Sequence, residues 1–509
     1  MDLVAGIDVG SQSVKVLLYD FEARRVIAVQ RASLELEARD DGSREQEAGW
    51  WIDAIRHCFA QFDRSMLPHV VAAGVSAQQH GFVALDDANR VLGPVKLWCD
   101  TSTQRECDEI AEAVGGMDRC IELAGNPILV GYTASKVVWL RHAHPVRYRR
   151  LASILLPHDY INFWLTGERW MECGDASGTG WFDVRRRTWS EELLRAIDPA
   201  RDLRECLPPL VAPDASFPID PRVAGELGLS ARVRISVGGG DNMMAAVGTG
   251  CVSPGTVGVS LGTSGTVFTC AEQPAIDVAG GWAAFCASTG GWLPLICTMN
   301  CTLATEQVAR AFGFDVADGD ALVAGTTPGA GGVLLLPFFN GERTPNLPNA
   351  RASLYGLGAD SFTAANVYRA AMEGATFALR FGCAGWLRAG LEASFIRLTG
   401  GGSRSAMWRQ IVADVFNLPV DVPEESEGAA FGAALQALWA YDRAGSSGTD
   451  IATLVHRHVR VSSALSVRPR ESAVASYRQH YQNFHGQVER LAALAAWPPR
   501  KAASATAAA

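Results

Sequence analysis

The chain has 509 residues, with 45 basic side chains against 54 acidic ones, a formal net charge of −9. Its 48% hydrophobic and 19% charged content supplies ample apolar material for real cores, which excludes an intrinsically disordered chain. The acidic balance argues against a protein that coats nucleic-acid phosphates, since such proteins carry a basic excess.

At roughly 100–200 residues per domain, the length predicts two to four domains. There are twelve cysteines, none in a CxxC pair, and no His or Cys completes a zinc set around Cys297 and Cys301. Cysteines used so sparsely suit a reducing compartment, where they pack as small apolar residues. No basic stretch followed by a long apolar segment comes after Met1, so no signal peptide is expected. The longest aliphatic run, Gly332 to Phe339, falls far short of the ~20 residues of a membrane helix. We therefore expect a cytoplasmic globular protein with neither nucleic acid nor membrane as partner.

In chain order, Leu3 to Val9 reads as a buried strand, Gly10-Ser11-Gln12-Ser13 as a turn, and Val14 to Tyr19 as the return strand. Arg25 to Leu36 continues the sheet pattern. Trp51, Ile55, Cys58, Phe59 and Phe62 recur at three- and four-residue steps, which predicts an amphipathic helix. Val70 to Ser76 is a further strand, running into Gln78-Gln79-His80-Gly81. Strands alternating with helices imply an α/β fold. About half a chain downstream the opening pattern returns: Val257 to Leu261, then Gly262-Thr263-Ser264-Gly265, then Thr266 to Cys270. A duplicated domain is the economical explanation. Just before it, Val233 to Val237 leads into Gly238-Gly239-Gly240-Asp241-Asn242 and a small-residue helix from Met243. A third glycine corner, Gly400-Gly401-Gly402-Ser403, follows the strand Phe395 to Thr399 and precedes a helix from about Arg404 to Phe416.

Glycine turns bearing Ser or Thr after a strand suit phosphates, because backbone N–H groups can converge on the anion and hydroxyls add donors. Three such corners, at Gly10, Gly262 and Gly400, suggest a nucleotide phosphate chain. The chain holds no GxxxxGK[ST], and no GxGxxG opens a helix after the first strand, which argues against a P-loop and a Rossmann site. Asp241 stands where α/β folds place their chemistry, after a strand and at a helix start. A carboxylate there could take a proton from a substrate hydroxyl; equally, Asp is a favoured helix N-cap. Asp8 could hold a metal-bound water or bond the adjacent turn. His80 could bind a sugar hydroxyl or serve structure, and Asp100, after Trp98, has the same two readings.

These residues resemble the FGGY carbohydrate kinases, most closely the xylulose kinase branch. The resemblance rests on Asp8-Val9-Gly10-Ser11 with Lys15, the His80-Gly81 corner, Leu97-Trp98-Cys99-Asp100-Thr101 and Gly238 to Asn242. Leu155 to Tyr160, Leu165 to Glu168, Asp175 to Thr179, Gly125-Asn126-Pro127, Lys136 and Trp139-Leu140 resemble that branch. The family's carboxyl-half signature appears at Ala352, Leu354, Gly356-Leu357, Asn366-Val367, Ala370 and Glu373. The resemblance covers roughly residues 3–440. It implies two duplicated actin-like (ribonuclease H-like) α/β domains with an interdomain cleft for ATP. We expect a sugar-side domain at 1–250, a nucleotide-side domain at 251–445, and a helical extension with an unstructured tail at 446–509. Asp241 matches the family's catalytic base. Gln79, His80, Asp100, Asp241 and Asn242 are expected at the sugar. Gly10, Ser11, Gln12, Thr263, Ser264, Gly401, Gly402 and Ser405 are expected at the nucleotide, and Asp8 at Mg²⁺. Two departures, Gln79 where this branch has Met and Cys99-Asp100-Thr101-Ser102 where it has Asn-Asp-x-Arg, bear on which sugar is bound. The implied reaction is ATP-dependent phosphorylation of a ketopentose, D-xylulose at C5 first, with ribulose, arabitol or a non-catalytic sugar-binding role as alternatives. The expected partners are sugar and ATP, with a homodimer among the assemblies considered.

Overall fold

The computed structural model describes residues 2–386, 388–445 and 448–493. The tail from Lys501 to Ala509, expected to be unstructured, lies outside the described residues. In chain order the strands that matter are β1 (Leu3–Val9), β2 (Ser13–Asp20), β3 (Arg25–Ser33), β4 (Val70–Ala77), β5 (Ser216–Pro218), β6 (Arg234–Ser236) and β7 (Gly239–Gly240). They continue with β8 (Gly255–Leu261), β9 (Gly265–Thr269), β10 (Trp292–Thr298), β11 (Ala393–Thr399), β12 (Val420–Pro423) and β13 (Val461–Val467). The helices used below are α1 (Ala48–Ala60), α2 (Pro157–Thr166), α3 (Asp241–Thr249), α4 (Ala364–Gly382), α5 (Ala406–Phe416) and α6 (Gly428–Ala444).

The chain forms two compact units. The first holds the chain up to Pro254 together with Thr269–Pro294 and Glu425–Arg460; the second holds Gly255–Phe268, Leu295–Glu424 and the chain from Val461 onward. The first unit is built on a seven-stranded sheet ordered β5-β6-β4-β1-β2-β3, with β7 also beside β4. β1 is antiparallel to β2, and β2 to β3, while β1, β4 and β6 are parallel and β5 is antiparallel to β6. The second unit repeats this plan. Six of the seven strands of its sheet run in the order β10-β9-β8-β11-β12-β13, with Ala283–Cys286 beside β10; β9 and β10 are antiparallel, β8, β11 and β12 are parallel, and β13 is antiparallel to β12. The repeated hairpin seen in the sequence therefore belongs to a repeated sheet topology.

β1 is buried at nearly every position, which explains why Leu3 to Val9 is apolar almost throughout rather than alternating. α1 buries Trp51, Ile52, Ile55, Cys58 and Phe59 against this sheet's core. A second apolar cluster, including Cys107, Ile110, Cys120, Val137, Trp181 and Leu193, is made by the helical segments between about residues 104 and 206. All twelve cysteines are free thiols. Among the described residues no helix is long and apolar enough to cross a membrane.

α6 lies against β1, β4 and α3 at backbone distance. A Cβ on Gly6 would stand 1.8 Å from the Ala430 carbonyl oxygen, and one on Gly74 would stand 2.2 Å from that of Ala433. Between the helices, a Cβ on Gly248 would meet the Gly428 oxygen at 1.9 Å, and one on Gly432 the Met244 oxygen at 1.7 Å. Only glycine permits such an approach. Gly432→Ala should therefore cost about 1–3 kcal/mol or more of stability in urea unfolding, since no flexible side chain can yield. Gly49 in α1 has nothing within 4 Å of an added Cβ, so Gly49→Ala should be neutral or gain up to about 1 kcal/mol from helix propensity. Equal effects of the two substitutions would refute the close-packing account.

Candidate active site

Parallel strands bring their carboxyl ends to one edge of a sheet, and in the first unit that edge collects the expected residues. β1 carries Asp8 beside Ser76 of β4, whose hydroxyl donates to Asp8 Oδ1 at 2.8 Å. β4 ends at Ala77 and runs into Gln79 and His80. β7 pairs with Ser76 and Ala77 and delivers Asp241 as the first residue of α3. The N-cap position falls to Gly240, so capping does not account for Asp241. Behind this corner stands Gln436 of α6, wholly buried. Its Oε1 accepts from the Gly238 N–H (2.9 Å) and the Ser236 hydroxyl (3.1 Å), and its Nε2 donates to the Gly238 and Ser288 carbonyls. Four hydrogen bonds on one buried amide fix the loop that presents Asp241.

Asp241 Oδ1 accepts from the Asn242 N–H (2.8 Å) and from Asn242 Nδ2 (3.0 Å). Burial pushes its carboxyl up to about 7, and the charge of Asp8 adds to the effect. Burial likewise raises Asp8, although the Ser76 hydroxyl and Lys15 act the other way. Lys15 pairs with Glu427 at 2.6 Å. Asp8 and Asp241 offer the carboxylate oxygens that a divalent cation takes, while no group of three acidic, His or Cys side chains that could hold one is found among the described residues.

Beyond Asn242 the polar network continues inward. Asn242 Nδ2 donates to Gln79 Oε1 (3.1 Å), Gln79 Nε2 to Asp175 Oδ1 (3.4 Å), and Asp175 Oδ2 faces His158 Nδ1 at 2.7 Å. His158 Nε2 lies 3.0 Å from Asp159. Burial opposes a charge on His158, yet Asp159 and Asp175 outweigh it and hold the imidazole up at about 9. Sequence reading had noted His158, Asp159 and Asp175 as motif residues without a role. Their spacing carries no such signal, because residues of two separate helices, Pro157–Thr166 and Cys173–Ala176, meet only in the fold. Gln436 was missed altogether; the one weak sign is a lone amide in an Ala/Gly-rich helix.

His80 adopts a left-handed backbone (φ 65°), and its carbonyl accepts from the wholly buried Lys136 at 2.6 Å and from Thr133 at 3.2 Å. Its ring packs 4.7 Å from Tyr132 and 5.8 Å from Phe285, over Gly178, where a Cβ would overlap the imidazole. Burial brings the Lys136 ammonium down to about 7.

Two expected sugar ligands have other work here. Asp100 is 0% exposed and takes four donors: the Arg44 N–H, Lys96 Nζ, the Ser102 N–H and the Ser102 hydroxyl. Burial would raise it, but those donors hold it below the ordinary range, so no lone pair is left for a sugar. Gln79 is 4% exposed, with both ends of its amide engaged by Asn242 and Asp175. Ser11, expected at the nucleotide, uses its hydroxyl to accept from Trp98 Nε1 at 3.1 Å.

The glycine corners differ in whether the fold itself needs glycine there. The Gly10 N–H closes its turn on Ser13 O at 3.0 Å, and Gln12 O receives the Leu34 N–H. An added Cβ at Gly10 would meet only Ser13 O at 3.4 Å, and at Gly401 nothing within 4 Å. The fold demands no glycine at either. Gly400, by contrast, has φ 82° and lies on the Leu261 backbone, while Gly402 packs on Leu261 and Trp408. In the second unit Thr263 O and Gly262 O accept from the Cys301 and Thr302 N–H groups, which leaves Thr263 and Ser264 at the tip of the β8–β9 hairpin. Ser405 caps α5 through the Trp408 N–H and bonds Asp320, so its hydroxyl is already employed.

Residues 3–248 match the N-terminal domain of the FGGY family of carbohydrate kinases, and residues 257–441 match its C-terminal domain. The chain belongs to this family. It is a carbohydrate kinase of two actin-like α/β domains, and its kind uses ATP. A xylulose kinase of Haemophilus influenzae is 40% identical to it over 494 residues, covering 96% of this chain and 99% of that protein. One from Streptomyces coelicolor is 36% identical over 444 residues, covering 86% and 87%. The crystal structure of a xyloylose kinase from Brucella ovis superimposes with a TM-score of 0.89 at 31% identity, covering 97% of this chain and all of that one.

The raised Asp241 carboxyl fixes a sign for stability. The folded chain binds this proton more tightly than the unfolded one, so its contribution to stability is complete below about 3.8 and is lost as pH rises through about 7. Asp241→Asn is neutral at every pH and should melt above the native protein at pH 8, with the margin narrowing towards pH 5. Thermal unfolding at both pH values measures this; a lower melting temperature at pH 8 would instead make Asp241 a structural residue.

Proposed function

We propose that this kinase transfers the γ-phosphoryl group of ATP to the C5 hydroxyl of D-xylulose, giving D-xylulose 5-phosphate, with Asp241 as general base. The observation that carries the mechanism is the Asp241 carboxyl: it stands at the carboxyl edge of the sheet, partly open to solvent, and titrates near neutrality. A base works best when its pKa lies near the operating pH. Asp241 orients the sugar hydroxyl and accepts its proton as the bond to phosphorus forms. His80 and Asn242 bind further hydroxyls. For the nucleotide we propose Gly10, Ser11 and Gln12 from the first unit and Thr263, Ser264, Gly401 and Gly402 from the second, glycine turns with hydroxyls of the kind that suits phosphate oxygens. Mg²⁺, bound with ATP, supplies neutralisation of the phosphate charge, and Asp8 is the residue that would face it. The functional division runs near residue 250, with the sugar side before it and the nucleotide side after it, apart from segments 269–294 and 425–460, which belong to the first unit. We read the setting as cytoplasmic. The identity of the pentulose is supported by the xylulose kinases that the chain resembles over most of its length.

Asp241→Asn should lower kcat at least ~10²-fold, the usual range for loss of a general base, while calorimetric sugar affinity falls much less. In the native enzyme kcat/KM for the sugar should fall tenfold per pH unit below about 7, because protonated Asp241 cannot accept the hydroxyl proton. Near-native turnover in the variant, or an acid limb below pH 5, would remove Asp241 from the role of base. ADP release screened across pentuloses, hexuloses and pentitols tests the substrate; a higher kcat/KM with any sugar other than D-xylulose would displace it.

A second measurement addresses His80. His80→Ala should raise KM for the sugar by about 2- to 100-fold, the worth of a lost hydrogen bond, with KM for ATP nearly unchanged. Equal changes in both would mean that His80 serves packing alone.

A further inference from the structure

We propose that Gln79 is a specificity-determining positioning residue: it fixes the Asn242 amide so that the site presents a bare carbonyl oxygen, which selects a sugar carrying a hydroxyl donor at that point. The inference rests on the sugar site proposed above and extends it to a residue that does not touch the sugar.

The argument is one of donor and acceptor polarity. A carboxylate offers only acceptors, whereas an amide has one end of each kind. Asn242 places an amide end 3.0 Å from Asp241 Oδ1, and only the nitrogen end is attractive there. Gln79 places an amide end 3.4 Å from Asp175 Oδ1, and again only nitrogen fits. Asp175 is held as an acceptor by His158, whose Nδ1 stands 2.7 Å from its other oxygen, with Asp159 3.0 Å from the far side of the ring. With its nitrogen spent, Gln79 turns Oε1 to Asn242 Nδ2 at 3.1 Å. The two ends of the relay are thus fixed independently by two carboxylates, and the central contact agrees with both. Reversing either amide would set oxygen against oxygen. Nor can Gln79 swing aside easily: its Cγ lies where a Cβ on Gly240 would be 2.6 Å away, so the side chain lies flat on that backbone. What remains is Asn242 Oδ1, on a half-buried residue, accepting no hydrogen bond among the described residues. Its partner must be a donor, which a sugar hydroxyl is and an ether or a deoxy carbon is not.

A residue that acts through Asn242 loses its effect when Asn242 is gone. Gln79→Met should raise KM for D-xylulose about 5-fold, the size of one hydrogen bond, and leave KM for ATP within about twofold. In an Asn242→Ala background the same substitution should add no further change. Additive effects would overturn the proposal, since Gln79 would then act on the sugar directly or on the fold at large. Asp175→Asn, which removes the carboxylate that polarises the relay, should reproduce the Gln79→Met pattern. Neutron diffraction of the unliganded protein in D₂O decides the polarity without any turnover: deuterons on the Asn242 nitrogen should point to Gln79 and Asp241. A reversed amide would overturn the relay even in an active enzyme. A chain with the expected deuterons that phosphorylates no pentulose would leave the relay standing and bring down the substrate reading instead.

Discussion

The site depends on two helices that touch through their backbones. α6 can lie on β1, β4 and α3 only because Gly6, Gly74, Gly248 and Gly432 leave no Cβ in the way. That approach seats α3, whose first residue is Asp241, and brings Gln436 within reach of the Gly238 loop. A spacing one methyl wider would free the loop and leave a buried amide unpaired, at a cost of about 1–3 kcal/mol for each lost partner. The glycines that look like loop residues in composition are, at these positions, packing residues.

On this frame the chain assembles acidic groups that resist ionisation. Asp8, Asp159, Glu172 and Asp241 all have their carboxyl groups raised, chiefly by burial. Each is less stable as an anion here than in water, so the site stores unfavourable electrostatic energy at neutral pH, as catalytic sites commonly do. The same arrangement gives Asp241 a proton affinity suited to a base at neutral pH. His158 lies wholly buried between Asp159 and Asp175, and both carboxyl groups raise its imidazole against the effect of burial.

Much of this was legible in the sequence. The strand–turn–strand pattern at Leu3 to Tyr19 and again at Val257 to Cys270 is local, and it forms as the pattern predicts because each strand is apolar where the sheet covers it. Asp241 after three glycines is equally local. Burial of Asp100 and Gln79 was not legible. Lys96, which holds Asp100, looks like any surface lysine until Glu45 and Trp139 close around it. Nothing near Gln79 in sequence announces Asp175, and motif matching alone placed both residues among the sugar ligands.

The sequence by itself determined the elements, the duplication and the chemical types at the strand ends, because periodicity and turn chemistry act over a few residues. The tertiary structure alone decided which of those groups remain available. Whether a polar side chain binds a ligand or a neighbour depends on which partners reach it, and decisive ones come from segments far apart in the chain: Arg44 for Asp100, Gln436 of α6 for Gly238, and Asp175 and Asn242 for Gln79. Segment 425–460 packs into the first unit although it follows it in sequence, and the small-residue face of α6 meets glycines on the strands and helix opposite it. Local pattern encodes what a residue can do; the distant contacts that fold brings to it fix what it does.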